Sequence, residues 1–489
     1  MPTISLALSV DRAARQPLQT QMHDQLRELI FSGRLADGER LPSTRALADE
    51  LGLSRTTVVA VYDQLAAEGL IETRRGAGAF VARGSEGGET GMTRPPPLPA
   101  PSAGAPLPFE TGVPDGPSFP DEQWARALAR AFRRRGAGAT GQRLPGGDPE
   151  LRAAIAEHLR TVRGLDIEAG QVLITSGMRE TLTVIASALI PAGSRIWVED
   201  PCYPAARRAL RDLGLAPCAV PVDEQGIRVE DGRTTAPDAV AALVTPSRHY
   251  PLGMTLSAAR RTALFDWAAE AGALVVEDDY DSEYRYRGRP LAPLFAGDRS
   301  GAVIHIGSFS KVMFAGLRLA YLVAPSDKMP ALIAAQRRLG TQASIVPQIG
   351  LAEFMRSGQF AAHVRRSRRL YRRRQAVLIS AVERYLGGLV RLRHDDAGIQ
   401  IAGELVGSSA SDIELSERAR GAGIVVEPLS PYYRGELEKQ GLVFGFAAFD
   451  EESIERAVAR LAEVFAAVGS TERLRSHKRK YRNGLPIER

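Results

Sequence analysis

Five lysines occur in the 489-residue chain, at 311, 328, 439, 478 and 480, and arginine carries the rest of the positive charge. The first follows 310 lysine-free residues. It sits in Gly307-Ser308-Phe309-Ser310-Lys311, with Gly316-Leu317-Arg318 just beyond. An amine flanked by hydroxyls and followed by an arginine has the make-up of a Schiff-base lysine beside a phosphate cradle. Desolvation and a nearby cation would depress the pKa of such an amine and favour carbonyl chemistry. Upstream, Ala273-Leu274-Val275-Val276 runs into Glu277-Asp278-Asp279-Tyr280-Asp281. An apolar strand ending in carboxylates presents them at its C-terminal end, where α/β proteins bind ligands. Strand side chains alternate, so Asp278 and Tyr280 share a face. Asp279 competes with Asp278 if the strand has already ended there.

A strand before Thr175-Ser176-Gly177-Met178 and a helix from Arg179 supply backbone amides at a helix start, a good phosphate seat. Together these pieces satisfy pyridoxal 5'-phosphate, which needs an amine, a carboxylate for its pyridine nitrogen, a donor to its ring oxygen and a phosphate cradle. Lys311 is assigned the amine, Asp278 the pyridine nitrogen and Tyr280 the ring oxygen. Ser176, Gly177, Met178, Ser308, Ser310 and Arg318 are assigned the phosphate. Tyr203, in Glu199-Asp200-Pro201-Cys202-Tyr203-Pro204, is a candidate to stack on the ring, with plain packing as the alternative. Cys202 and Cys218 make neither a disulfide framework nor a zinc site, so no metal is expected and both read as reduced thiols of a cytoplasmic protein.

Several elements must position these groups. Residues 84–108 hold seven prolines and five glycines, a linker composition. It separates residues 1–83 from a body over 109–467, followed by a basic tail over 468–489 that is expected to be unstructured from Thr471. The body alternates strands and helices: strands are predicted at Val172–Thr175, Arg195–Glu199, Ala241–Thr245, Ala273–Glu277, Val303–Gly307 and Leu319–Val323. A later set near Gly398–Ala402, Ile424–Glu427 and Leu442–Phe446 suggests a smaller α+β C-terminal lobe. The arginine run from Arg365 to Arg374 reads as the solvated face of a long helix.

Residues 1–83 predict a helix over Leu18–Phe31, a short one over Arg45–Leu51 and a third over Arg55–Ala67 capped by Ser54. Two short strands, Leu70–Thr73 and Ala79–Val81, follow around Arg74-Arg75-Gly76-Ala77-Gly78. This is a helix-turn-helix with a wing. Its ten arginines are balanced by ten acidic residues, so arginine placement rather than net charge must carry any DNA contact. A recognition helix shows polar residues at its start and locks its apolar face inward. Ser54-Arg55-Thr56-Thr57 meet the first need; Val58, Val61, Tyr62 and Leu65 meet the second.

The stretch Leu-Pro-Ser-Thr-Arg-Ala-Leu-Ala-Asp-Glu-Leu-Gly-Leu-Ser-Arg-Thr-Thr-Val-Val resembles the GntR-type winged helix-turn-helix. The resemblance implies DNA contacts at Arg45, Ser54, Arg55, Thr57 and Arg75. Residues 109–467 resemble fold-type I aminotransferases, and the two-part chain is similar to the MocR/GabR-type regulators. That implies an α/β large domain, double-stranded operator DNA as partner and a homodimer, typically head-to-tail. Thr245-Pro246-Ser247-Arg248-His249-Tyr250-Pro251-Leu252-Gly253 looks like that family's version of the aminotransferase Asn-Pro-Thr-Gly turn, with Tyr250 where transaminases place Asn. The strand near Leu442–Ala447 has no arginine, where transaminases hold the substrate carboxylate. These departures favour a regulator that senses an amine, amino acid or B6 vitamer through an aldimine at Lys311. A working aminotransferase carrying a DNA-binding head is the alternative.

Overall fold

The computed structural model describes residues 8–14, 16–74, 77–82, 106–136, 144–288, 291–393, 395–406, 410–435 and 439–482, with side chains to 467. The chain forms two compact units, Met1–Ala103 and Gly104–Arg489.

In the first unit, helices Leu18–Phe31, Thr44–Leu51 and Arg55–Ala67 precede an antiparallel pair, β1 (Ile71–Arg74) and β2 (Gly78–Val81). Ser43 caps the second helix through Ala46 N, so it begins one residue before the predicted Arg45. Gly52, in the left-handed region (φ +63°), stops it. Met22, Leu26, Leu47, Val58, Val61 and Leu65 are fully buried and lock the three helices together. The Tyr62 hydroxyl donates to Pro42 O at 2.9 Å, tying the third helix to the chain before the second.

The second unit is built on an eight-stranded mixed sheet: β3 (Val172–Thr175), β4 (Arg195–Asp200), β5 (Ala216–Asp223), β6 (Gly226–Ile227), β7 (Ala241–Val244), β8 (Leu274–Asp279), β9 (Val303–Ser308) and β10 (Ala320–Val323). The order is β3-β10-β9-β8-β7-β4-β5-β6. Strands β9, β8, β7, β4 and β5 are parallel, and β10 runs antiparallel to both β3 and β9. The central strands are apolar on both faces, as a sheet covered by helices on both sides requires. One face packs Ile196, Val198, Val276 and Ile304; the other packs Trp197, Val244, Val275 and Val303. Trp197 stacks on Trp267 at 3.8 Å between ring centroids. A smaller sheet follows, with β11 (Val390–Leu392), β12 (Gln400–Leu405), β13 (Glu427–Pro428) and β14 (Gly441–Gly445) in the order β11-β12-β14-β13.

The α/β fold class expected from the sequence is the one observed. Several details differ. Strand β5 was not among the predicted strands; it carries Pro217 and Pro221 and pairs with β4 near the sheet edge. The apolar run Ile424–Val426 is buried core, and pairing begins only at Glu427 opposite Val443. Within helix Gln359–Leu386 the arginine run is not uniformly solvated. Arg374 is buried against Asp115 Oδ1 at 2.9 Å, and Arg368 donates to Glu283 O at 2.6 and 2.9 Å. Finally, the last helix spans Glu451–Arg482, so the segment expected to be unstructured from Thr471 is helical to Arg482. No proline or glycine interrupts the sequence between Gly469 and Arg482.

Candidate functional site

The C-terminal ends of β4, β8 and β9 lie on one edge of the sheet, and the chemistry-bearing residues follow from them. Lys311 lies just beyond β9 and is half-buried. Its ammonium donates to Gly112 O at 2.9 Å. Gly112 has φ +72°, and a Cβ there would stand 2.4 Å from Lys311 Nζ. Burial lowers the amine pKa, with Asp281 and Asp278 pulling the other way.

Asp278 and Asp279 have opposite surroundings, as neighbours on a strand must. Asp279 is gripped by Arg163, the last residue of helix Pro149–Arg163, and accepts from Ser282 Oγ at 2.8 Å. Burial works against its ionisation, but Arg163 and His305 outweigh burial and hold its carboxyl below the usual range. Asp278 is buried, and its Oδ1 lacks a hydrogen-bond partner among the described residues. Burial and the like charges of Asp279, Asp281 and Glu199 push its pKa well up, with Lys311 opposing them.

Tyr280 lies beyond the end of β8 and meets Arg248, a residue the sequence reading had left inside the turn motif without a role. The Arg248 guanidinium is buried and reaches four groups: Tyr280 Oη at 2.6 Å, Asp281 Oδ2 at 3.0 Å, Asp395 Oδ2 at 2.8 Å and Gln400 O at 2.6 Å. Space is cleared for it by Gly398, where a Cβ would lie 2.3 Å from Arg248 Cζ. Gly253 (φ +82°) similarly makes room for Asp395. Burial and Asp395 raise the Asp281 carboxyl to about 7, although Arg248 pulls it down.

Tyr203 is 44% exposed and packs edge-on to Tyr250 at 5.2 Å; Tyr250 in turn meets Tyr280 at 5.6 Å and Tyr432 at 5.8 Å. Beneath them Glu199 is buried and accepts from Thr245 N at 2.9 Å and Thr245 Oγ1 at 2.6 Å. Burial raises its carboxyl to about 7. The buried His249 is pushed down to about 3 by desolvation. Glu199, Arg163 and Asp395 were missed from sequence; of these only Glu199, at the end of an apolar strand, carried a readable signal.

At the start of helix Met178–Leu189, Gly177 has φ +138°, a conformation closed to most side chains. Ser176 N and Ser176 Oγ both donate to Glu180 Oε2, at 2.7 and 2.5 Å. Ser310 N donates to Ser308 Oγ at 3.3 Å. Arg318 is exposed in the left-handed region (φ +47°).

In the first unit, Ser54 Oγ accepts from Thr57 N at 3.1 Å and lies 2.7 Å from the hydroxyls of Thr56 and Thr57. Arg45 and Arg55 are exposed and Thr57 is half-buried. Arg74 lies over the Phe80 ring at 4.8 Å. Arg75 lies outside the described residues.

Comparison with known proteins matches residues 18–81 to the gntR family of bacterial regulatory proteins and residues 106–461 to aminotransferase class I and II. The probable rhizopine catabolism regulatory protein MocR of Rhizobium meliloti is 34% identical over 480 residues, covering 95% of this chain and 97% of that protein. The chain belongs to the MocR/GabR-type family of transcriptional regulators. The pyridoxine biosynthesis transcriptional regulator PdxR of Corynebacterium glutamicum is 37% identical, covering 91% of this MocR/GabR-type chain and 95% of its own. Among solved structures, the α-aminoadipate aminotransferase LysN of Thermus thermophilus superposes with a TM-score of 0.67 at 28% identity, over 75% of this chain and 93% of that one. An archaeal alanine:glyoxylate aminotransferase superposes at 0.69 and 24% identity, over 74% and 92%, which is a likeness of fold. As a MocR/GabR-type regulator, the chain pairs a DNA-binding head with a domain that takes a small-molecule effector. No helix among the described residues is long and apolar enough to cross a membrane.

Proposed function

We propose that this regulator holds pyridoxal 5'-phosphate at Lys311 and changes its hold on an operator when an amine, an amino acid or a B6 vitamer reaches that site. The observation that carries this reading is a half-buried lysine with one backbone partner beside a buried carboxylate, Asp278, whose Oδ1 has none among the described residues. An unpaired buried carboxylate is costly, and a protonated ring nitrogen would satisfy it. Bound there, the group supplies an aldehyde carbon open to amines. Asp278 holds the pyridine nitrogen's proton, Tyr280 donates to the ring oxygen and Tyr203 covers the ring. Ser176, Gly177, Met178, Ser308, Ser310 and Arg318 hold the phosphate. LysN, at 28% identity, is described in complex with N-(5'-phosphopyridoxyl)-L-leucine, which supports the choice of cofactor.

In this reading residues 1–83 read the operator through Arg45, Ser54, Arg55, Thr57 and Arg75, residues 84–108 link, and residues 109–467 sense. The regulator works in the cytoplasm as a head-to-tail homodimer, and the basic segment 468–489 adds charge. Strand β14 carries no arginine, which supports sensing over turnover.

The test is direct. Full-length protein incubated with pyridoxal 5'-phosphate and reduced with borohydride should carry a pyridoxyl mass on Lys311. Lys311→Ala should lose that mass together with effector-dependent operator binding in a gel shift. A reduced wild-type chain with no added mass overturns the reading.

A further inference from the structure

We infer that Arg248 is a positioning residue that fixes Tyr280 as a one-way hydrogen-bond donor toward the cofactor site and ties that orientation to the C-terminal lobe. This rests on the proposed cofactor reading and extends it to a residue that does not itself touch the cofactor's reacting atoms.

The argument begins with donor and acceptor inventory. A guanidinium has five donors and no acceptor. At 2.6 Å from Arg248 Nη1, Tyr280 Oη must therefore accept. Its own proton is then left to point at some other acceptor, and no further hydrogen bond to that hydroxyl occurs among the described residues. A free phenol can donate or accept as its surroundings allow; one clamped by a cation can only donate outward. Because the clamp is charge-assisted, it is stronger than a neutral contact.

The clamp is also rigid. Arg248 is buried, and its remaining donors go to Asp281 Oδ2 at 3.0 Å, Asp395 Oδ2 at 2.8 and 2.5 Å, and Gln400 O at 2.6 Å. Asp281 lies on the turn after β8, whereas Gln400 opens β12 of the smaller sheet and Asp395 lies just before it. Asp395 is held in turn by Ala397 N at 3.0 Å, and its backbone oxygen accepts from Gln375 Nε2 at 2.9 Å on the long helix. A displacement of the C-terminal lobe thus moves the guanidinium, and the guanidinium aims the phenol. The guanidinium lies where a side chain at position 398 would stand, so the glycine there is what admits the clamp.

The charged and titratable groups facing this cluster are Asp281, Asp395, Tyr280, Tyr286, Tyr250, Asp279, Glu283 and Tyr371, with Lys311 and Asp278 on the site side. A donor on the ring oxygen draws off negative charge and lowers the proton affinity of the neighbouring lysine-derived nitrogen. Losing it should raise that affinity.

The experiment uses full-length protein loaded with pyridoxal 5'-phosphate and follows absorbance against pH in wild type, Arg248→Gln, Tyr280→Phe and the double variant. Arg248→Gln should keep the borohydride-trapped mass on Lys311 yet raise the midpoint of the colour change by about one pH unit, a tenfold gain in proton affinity. In the Tyr280→Phe background the same substitution should add less than half of that shift, because its effect runs through the phenol. A shift that survives intact in that background is a through-space charge effect and overturns the inference, as does an unshifted Arg248→Gln. If Arg248→Gln does not fold, Arg248→Lys, which keeps the charge but not the planar fork, carries the same comparison. Failure of wild type to trap any mass would instead sink the cofactor reading itself, so the two failures are distinct.

Discussion

The carbonyl of Gly112 accepts the Lys311 ammonium at 2.9 Å, and a side chain on the α-carbon behind that carbonyl would displace Nζ. The residues are 199 apart in sequence. The start of the body is thereby fastened to Lys311. Gly112→Ala would set a methyl group against Nζ and force φ +72° on a residue that resists it, at a cost of about 1–2 kcal/mol. We expect a lower melting temperature and weaker cofactor retention, read by thermal denaturation and by absorbance titration with pyridoxal 5'-phosphate.

Asp278→Asn separates holding the cofactor from holding the fold. The wild-type carboxyl is buried and unpaired at Oδ1, so removing its charge relieves desolvation. The cofactor-free variant should be at least as stable as wild type at neutral pH while binding the cofactor more weakly. A large loss of melting temperature would show that Asp278 is a structural residue.

Arg163→Met should do the reverse. Asp279 would stay buried without its cation, and breaking such a pair costs about 3–5 kcal/mol. Because Arg163 holds the folded Asp279 pKa below its unfolded value, this stabilisation is present above the ordinary carboxylate pKa and is lost as pH falls through the folded one. Urea unfolding at neutral pH should show the full loss; the gap between variant and wild type should close in strong acid.

Glu199 predicts the opposite slope. Its folded pKa of about 7 exceeds the unfolded value, so the folded state binds the extra proton and stability falls as pH rises from the ordinary carboxylate range toward 7. The loss is up to about 3 kcal/mol over that window. Glu199→Gln can still accept from Thr245 through its amide oxygen. Its unfolding free energy should therefore be flatter between pH 5 and 7 than that of wild type, measured on cofactor-free protein.

In the DNA-binding head, Ser54→Ala removes the cap on Thr57 N and should cost about 1 kcal/mol of stability. Arg55→Ala leaves the fold alone because the side chain is exposed. It should weaken operator binding, and a salt slope reduced by about one would mark Arg55 as a phosphate contact rather than a base reader.

The first unit was legible almost residue by residue, because its helices are punctuated by Ser43, Gly52 and Ser54 and its apolar positions recur at helical spacing. The end of β8 that carries Asp278 and the end of β9 that precedes Lys311 were legible for a similar reason: apolar runs stop abruptly at polar residues. What could not be read was long-range pairing. Arg248 meets Asp395 across 147 residues, and Arg163 meets Asp279 across 116. Neither partner differs locally from an ordinary surface charge. The tertiary fold brings such groups together: Asp395 comes from beside the smaller sheet, and Arg163 from the end of a helix, to the C-terminal edge of the large one.

Glu180 already occupies donors that the proposed phosphate seat would use. Its carboxylate takes both Ser176 donors at the head of helix Met178–Leu189, and Gln336 Nε2 approaches its other oxygen at 3.3 Å. A phosphate entering there trades places with a tenant instead of settling on bare amides. Loading becomes an exchange reaction, whose equilibrium depends on how readily one glutamate can swing out to water.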